Sequence, residues 1–152
     1  MSALTPGPAR LWHLPRLALI LWRFTRATPW LPQVRSRRED LFTFLRVIHR
    51  GWVRVMTDGR CVVGFIVRDA QRIHALYVHP DCRNRGVGRA LLADAKADMD
   101  ALDLWVVEAN TGAQAFYAAN GFVETARSPG YGNDENLPDI LMIWQAEYEA
   151  EA

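Results

Sequence analysis

The stretch Leu76–Lys96, LYVHPDCRNRGVGRALLADAK, decides how the chain is read. It opens as a β-rich run, stops at Pro80, passes through a basic glycine loop and continues with apolar residues at helical spacing. Gly88, Leu91, Leu92, Ala95 and Met99 fall on one helical face, with Arg89, Lys96, Asp98 and Asp100 elsewhere. A helix that starts straight after such a loop leaves its first N–H groups unpaired and pointing outward. Gly86 and Gly88 allow close approach of the backbone, and Arg83, Arg85 and Arg89 add positive charge, so the segment suits an anion such as a pyrophosphate. The lysine and hydroxyl residue of a nucleotide P-loop are missing, and Leu91 stands where a dinucleotide fingerprint needs its third glycine. An exposed turn with three solvated arginines is the competing reading.

Working upstream, Trp52–Met56 and Cys61–Arg68 are β-rich runs joined by Thr57, Asp58 and Gly59, which predicts a hairpin. The second run is apolar on both faces and is expected to be a central strand. Arg72–His79 predicts the next strand. Before these, Pro15 opens an apolar stretch, Leu17–Thr25, and Ser36 with Glu39 forms a capping-box signature ahead of Leu41, Phe42, Leu45 and Ile48. Two helices are expected there, with only a weak signal for a short strand at Ala9–His13. Downstream, Leu102–Ala109 predicts a strand, and Thr111 with Gln114 predicts a capped helix ending at Gly121. Phe122–Arg127 and Ile140–Ala146 are the closing strands, and the apolar ILMIW of the last is a candidate edge for pairing with another copy. The fold class is therefore α+β, a mixed and mostly antiparallel sheet with helices on both faces in three layers. Residues 1–152 are expected to form a single domain, with a helical part over 1–51 and a sheet and ligand-binding core over 52–146.

Half of the 152 residues are apolar, enough for one core. Leu17–Trp22 is too short to span a membrane and no cleavage pattern follows it, so a cytoplasmic location without membrane attachment is expected. Cys61 and Cys82 are the only cysteines and have no metal-ligand spacing, so reduced thiols and no metal are expected. Residues 1–60 hold 11 arginines against 3 carboxylates, and residues 61–152 hold 7 basic residues against 14 carboxylates. Such asymmetry fits an acidic partner or a nucleic acid, or two halves that face each other within one domain or across a dimer, and the last is the expectation. A nucleic-acid partner would call for a dense basic run with interleaved aromatics, which is absent.

At Arg83, Gly86 and Gly88 the chain resembles the GNAT superfamily of acyl-CoA-dependent N-acetyltransferases. The stretch VEANTGAQAFYAANGF is similar to that family's other cofactor motif through Asn110, Phe116, Tyr117, Gly121 and Phe122. The resemblance covers 52–146 well and the N-terminal helices in outline. It implies transfer of acetyl from acetyl-CoA straight to a primary amine: a small amine, an amino acid, or a protein terminus or lysine. A non-catalytic acyl-CoA-binding module is the alternative, and monomer and homodimer both stay open. It further implies that the backbone of Leu76 and Val78 holds the pantetheine arm and that Arg83, Asn84, Arg85, Gly86, Val87, Gly88 and Arg89 surround the pyrophosphate. Asn110 would bind the cofactor, and Tyr117 would protonate the departing thiolate.

The acceptor must lose a proton before it attacks. Some relatives place a carboxylate five residues before the asparagine, where this chain has Trp105, and Arg72–Pro80 holds none. Glu108 is the candidate base, although strand alternation sets it on the face of Val106 and opposite Trp105. His74 and His79 are the next candidates, and deprotonation through water is a further option. The carboxylate-rich tail, with Asn133, Asp134, Glu135 and Asp139, is a candidate seat for a cationic acceptor. Trp22, Phe24 and Trp30 are candidates to line the acceptor cleft.

Overall fold

The computed structural model describes residues 3–32, 35–130, 133 and 135–147. One seven-stranded sheet runs through it, built from β1 (Leu4–Pro8), β2 (Val53–Asp58), β3 (Cys61–Asp69), β4 (Arg72–Val78), β5 (Ala101–Val107), β6 (Val123–Ser128) and β7 (Asp139–Gln145). Their order is β1-β2-β3-β4-β5-β7-β6, and β4–β5 is the one parallel junction in that sheet. Helices α1 (Leu14–Arg26) and α2 (Arg37–His49) precede β2, α3 (Val87–Lys96) connects β4 to β5, and α4 (Thr111–Ala119) follows β5.

Burial explains the layers. Leu17 and Ile20 of α1 and Phe44 and Ile48 of α2 pack with Val53, Val55, Phe65 and Val67 on one face. On the other face Leu91 and Leu92 of α3 and Tyr117 of α4 pack with Ile66, Ile73, Leu104, Ile140 and Trp144. Val62–Val67 of β3 is buried throughout, as its two-faced apolar pattern predicts. The three-layer α+β expectation holds, and the mostly antiparallel sheet is the one anticipated.

Ser36 caps α2 as expected: its Oγ accepts from Glu39 N–H at 3.2 Å, and Glu39 Oε1 accepts from Ser36 N–H at 3.1 Å. At α4 the cap moves back by one residue. Asn110 Oδ1 accepts from Ala113 N–H at 3.1 Å, and Gln114 Nε2 instead donates to the Glu108 carbonyl at 2.7 Å.

Two other expectations are corrected. The N-terminal strand is Leu4–Pro8, and Leu11–His13, within the segment proposed as a strand, is a 3-10 turn. Pro6 and Pro8 disguise that strand, yet prolines are tolerated at a sheet edge, where one side needs no donor. The ILMIW strand is no edge: β7 lies between β5 and β6, and the edges are β1 and β6. Ile140, Met142 and Trp144 are buried on one face and Leu141 and Ile143 partly covered on the other, the pattern of an interior strand.

The oppositely charged halves do meet. Arg54 of β2 makes a two-pronged contact with Asp94 of α3 at 2.9 and 3.0 Å, and Arg23 lies 3.7 Å from Asp81. Among the described residues no helix is long and apolar enough to cross a membrane.

The seat of α3 depends on Gly64. A Cβ there would lie 2.9 Å from Val87 Cγ1 and 3.0 Å from the Tyr77 carbonyl. Gly64→Val should therefore lower stability by about 1–3 kcal/mol through overpacking, read as a drop in the urea midpoint at unchanged m-value.

Candidate active site

The parallel junction is short. β4 and β5 pair at Arg72–Asp103 and Ile73–Leu104 only, although β4 continues to Val78 and β5 to Val107. Arg72 Nε donates to Asp103 Oδ1, and Gln71 Nε2 donates to Asp103 Oδ2 at 2.9 Å, which clamps the closed end. Past that clamp the strands part. His79 N–H donates to the Val63 carbonyl at 2.8 Å, so beyond the register shift at Val67/Arg68 the alternation of an antiparallel ladder turns Ala75 and Tyr77 toward β3. Leu76 and Val78 then turn N–H and C=O toward the open side, where an extended ligand arm can add as a strand.

The glycine loop ends at the mouth of this gap. Gly86 is the N-cap of α3 at φ +80°, Asn84 takes φ +63°, and no side chain caps the helix. Both conformations are left-handed, open to glycine at no steric cost and to asparagine at little. Arg83, Asn84, Arg85 and Arg89 are exposed around the helix start, whereas Val87 belongs to the core and can offer a ligand only its backbone. Gly88 has a packing reason: a Cβ there would lie 2.9 Å from the Phe116 ring, so α3 and α4 come together at that position.

A cleft of about 590 Å³ opens where the strands part. Leu76 and Tyr77 of β4, Asn110 and Tyr117 of the α4 segment, and Trp105 of β5 line it. Tyr117 is 8% exposed and its ring is held edge-on by Phe116 and Phe122, with centroids at 5.2 and 5.4 Å. Burial raises its pKa, so the phenol keeps its proton at neutral pH. Tyr77 is pushed up to about 12 for the same reason. Asn110 spends Oδ1 on the α4 cap, which leaves its Nδ2 for a ligand.

The acceptor-side candidates divide. Phe24, Trp30, His74, Asn133, Glu135 and Asp139 line the cleft. Trp22 does not, since its indole N–H is tied to Asp40 Oδ2 at 2.9 Å. Asp134 lies outside the described residues. Glu108 is not brought to the cleft: it is half-exposed, 3.8 Å from Arg127 on β6, on the face that alternation assigned it. His79 is buried beside the loop, where its Nδ1 accepts from Asp81 N–H at 3.1 Å and Arg23 lies 3.3 Å from its Nε2. His74 stacks on Trp52 with centroids 5.5 Å apart. Asp139 is 6% exposed; Asn133 Nδ2 donates to its Oδ2 at 3.1 Å, and its Oδ1 is buried with no partner among the described residues.

Sequence reasoning passed over Arg72 and Asp103, whose pair ends the β4–β5 ladder, and Ser128, which also lines the cleft. An aspartate inside an apolar β run is a legible oddity, but its partner is 31 residues away and only pairing of the strands reveals it.

The match of residues 47–124 to the model of the acetyltransferase (GNAT) domain agrees with this geometry, and the chain belongs to that family. Over 96 residues it is 41% identical to the peptidyl-lysine N-acetyltransferase YjaB of Escherichia coli, covering 63% of this chain. The Salmonella typhimurium YjaB is 39% identical over 77 residues, 51% of this chain. The chain spans 65% and 52% of the length of those two relatives. The solution structure of apo-form YjaB from Escherichia coli superposes with a TM-score of 0.79 at 27% identity, over 93% of this chain and 97% of that one. PaiA N-acetyltransferase from Thermoplasma acidophilum, solved with coenzyme A, shares the fold with a TM-score of 0.71 at 19% identity, over 94% and 99%.

Burial and then Arg16 hold the His79 pKa below its ordinary value, outweighing Asp81. The unfolded chain takes up that proton at about pH 6.5 and the folded chain does so only at lower pH. Stability is thus whole above about pH 6.5 and declines as pH falls through the window below it. His79→Asn should flatten that part of the profile, measured as Tm against pH.

Proposed function

We propose that this chain transfers acetyl from acetyl-CoA directly to a primary amine, with the lysine side chain of a polypeptide as the acceptor class. The observation that carries this reading is the open edge of β4 leading to the proton-bearing hydroxyl of Tyr117. Leu76 and Val78 offer two N–H and two C=O groups that suit the amides of a pantetheine arm. The α3 start, with Asn84, Gly86 and the three exposed arginines, suits the pyrophosphate at its far end. Both YjaB relatives are named for lysine acetylation and PaiA was solved with coenzyme A, which supports the same donor and acceptor classes here.

Tyr117 has the role of general acid. As the C–S bond breaks, the thiolate gathers charge beside a phenol that has kept its proton, and transfer of that proton makes the thiol the leaving group. Asn110 Nδ2, which the α4 cap leaves unused, has the role of orienting the bound ligand in this reading. Direct attack by the amine is favoured over an acyl-enzyme: among the described residues no cysteine lines the cleft, and Ser128 Oγ is engaged by the Gly130 N–H at 3.1 Å.

Two measurements test this. Calorimetric titration with acetyl-CoA and desulfo-CoA should show micromolar binding that an Arg85→Glu, Gly86→Glu double variant loses, since both changes set negative charge and bulk at the helix start. Tyr117→Phe should then lower kcat by about 100-fold or more on a lysine peptide, with the calorimetric affinity for acetyl-CoA within about three-fold of the parent. Absence of binding by the parent protein overturns the cradle; unchanged turnover in Tyr117→Phe overturns the acid.

A further inference from the structure

The cleft holds one group that its surroundings leave unsatisfied. Asp139 begins β7, where it pairs with Val107 of β5 and Ser128 of β6. Leu141, two residues on, pairs with Trp105, so Asp139 shares the sheet face of Trp105 and Val107, opposite to that of Glu108. Asn133 fixes one carboxylate oxygen; its own amide is held by Leu137, donating to that carbonyl at 2.8 Å and accepting from that N–H at 3.0 Å. The other oxygen is buried and unpartnered. Leaving one oxygen of a buried carboxylate without a donor or a counter-ion is unfavourable, and such exceptions in folded proteins call for an explanation such as a ligand site. Arg35, Arg72, His74, Tyr77, Tyr117 and Glu135 also line the cleft. His74, Tyr77, Tyr117 and Glu135 make no hydrogen bond or ion pair to Asp139 among the described residues, and Arg72 is engaged by Asp103.

Resting on the acetyltransfer reading above, we propose that Asp139 receives the acceptor's ammonium and takes its proton. It lies one strand across from the position on β5 where a base would be sought and where this chain has Trp105. The ammonium arrives as the missing donor to Oδ1 and gives one proton to the carboxylate. The freed lone pair forms the N–C bond to the acetyl carbonyl, and the C–S pair leaves on sulfur. Tyr117 supplies the proton that makes the thiol and recovers one from the nitrogen as the amide forms. Two protons leave the ammonium in all: one ends on the thiol, the other on Asp139 and then in solvent.

The test compares the protein with Asp139→Asn at saturating acetyl-CoA on two acceptors. One is N-α-acetyl-lysine amide, cationic with a pKa of about 10.4; the other is aniline, uncharged at neutral pH. The parent protein should acetylate the lysine compound with kcat/KM nearly flat between about pH 6.5 and 8.5, because the ammonium itself is the form that binds. The variant should lose about 100-fold on it at neutral pH and gain about ten-fold per pH unit, since only free amine then reacts. Aniline should change by less than about three-fold, and Tm should stay the same or rise because an unpartnered buried charge has gone. Equal losses on both acceptors with a lowered Tm make Asp139 merely structural and overturn the proposal. A parent profile with a step near the histidine value, kept in the variant, gives the proton to His74 and also overturns it. A parent protein that binds acetyl-CoA but acetylates neither compound sinks the acetyltransfer reading itself, a result distinct from activity that ignores Asp139.

Discussion

Everything at the site depends on a ladder that stops early. Arg72 and Asp103 lock β4 to β5 at one end of their parallel junction, and after one further residue pair, Ile73–Leu104, the strands separate. A sheet that zipped fully would spend the N–H and C=O groups of Leu76 and Val78 on β5 and leave no cleft. Since interior backbone groups seek partners, an edge opened inside a sheet is a ready-made site for an extended ligand with amides of its own.

Three glycines set the helix that faces this gap, each for its own reason. Gly64 lets the start of α3 settle onto β3, Gly88 lets α3 meet the Phe116 ring of α4, and Gly86 takes the left-handed turn that begins the helix. The outcome is an uncapped helix N-terminus at the end of β4, surrounded by arginines that form no ion pair with the described residues. The packing of α4 that Gly88 permits also carries Tyr117 to the cleft, so the candidate anion cradle and the proposed proton donor are mechanically one unit. A change in how α3 seats would move both.

The far side of the cleft has a different origin. The β6–β7 hairpin folds back so that β7 inserts next to β5, and this sets Asp139 on the sheet face of Trp105. Asn133 and Asp139 reach the cleft from there, and Phe24 and Trp30 from the α1 side. Donor-side and acceptor-side residues therefore come from separate stretches of chain and meet only across the parted strands.

Much of the donor side was legible in the chain itself. The signals for α3, the central strand β3 and the Ser36 cap are local, because helical spacing, two-faced apolar runs and capping boxes act within a few residues. The motif positions Arg83, Gly86, Gly88, Asn110 and Tyr117 follow from such segments and from their resemblance to one family. What stayed hidden was long-range. Prolines masked β1, which is stable only because β2 provides one paired side at an edge. The place of β7 inside the sheet depends on which strand its hairpin joins, and no local pattern states that. The Glu108 carboxylate is near Asn110 in sequence yet faces away from the cleft, whereas Asp139, 29 residues after Asn110, faces into it. Local sequence sets each residue's face within its own strand; only the order of the strands decides which faces meet, and so which carboxylate the cleft receives.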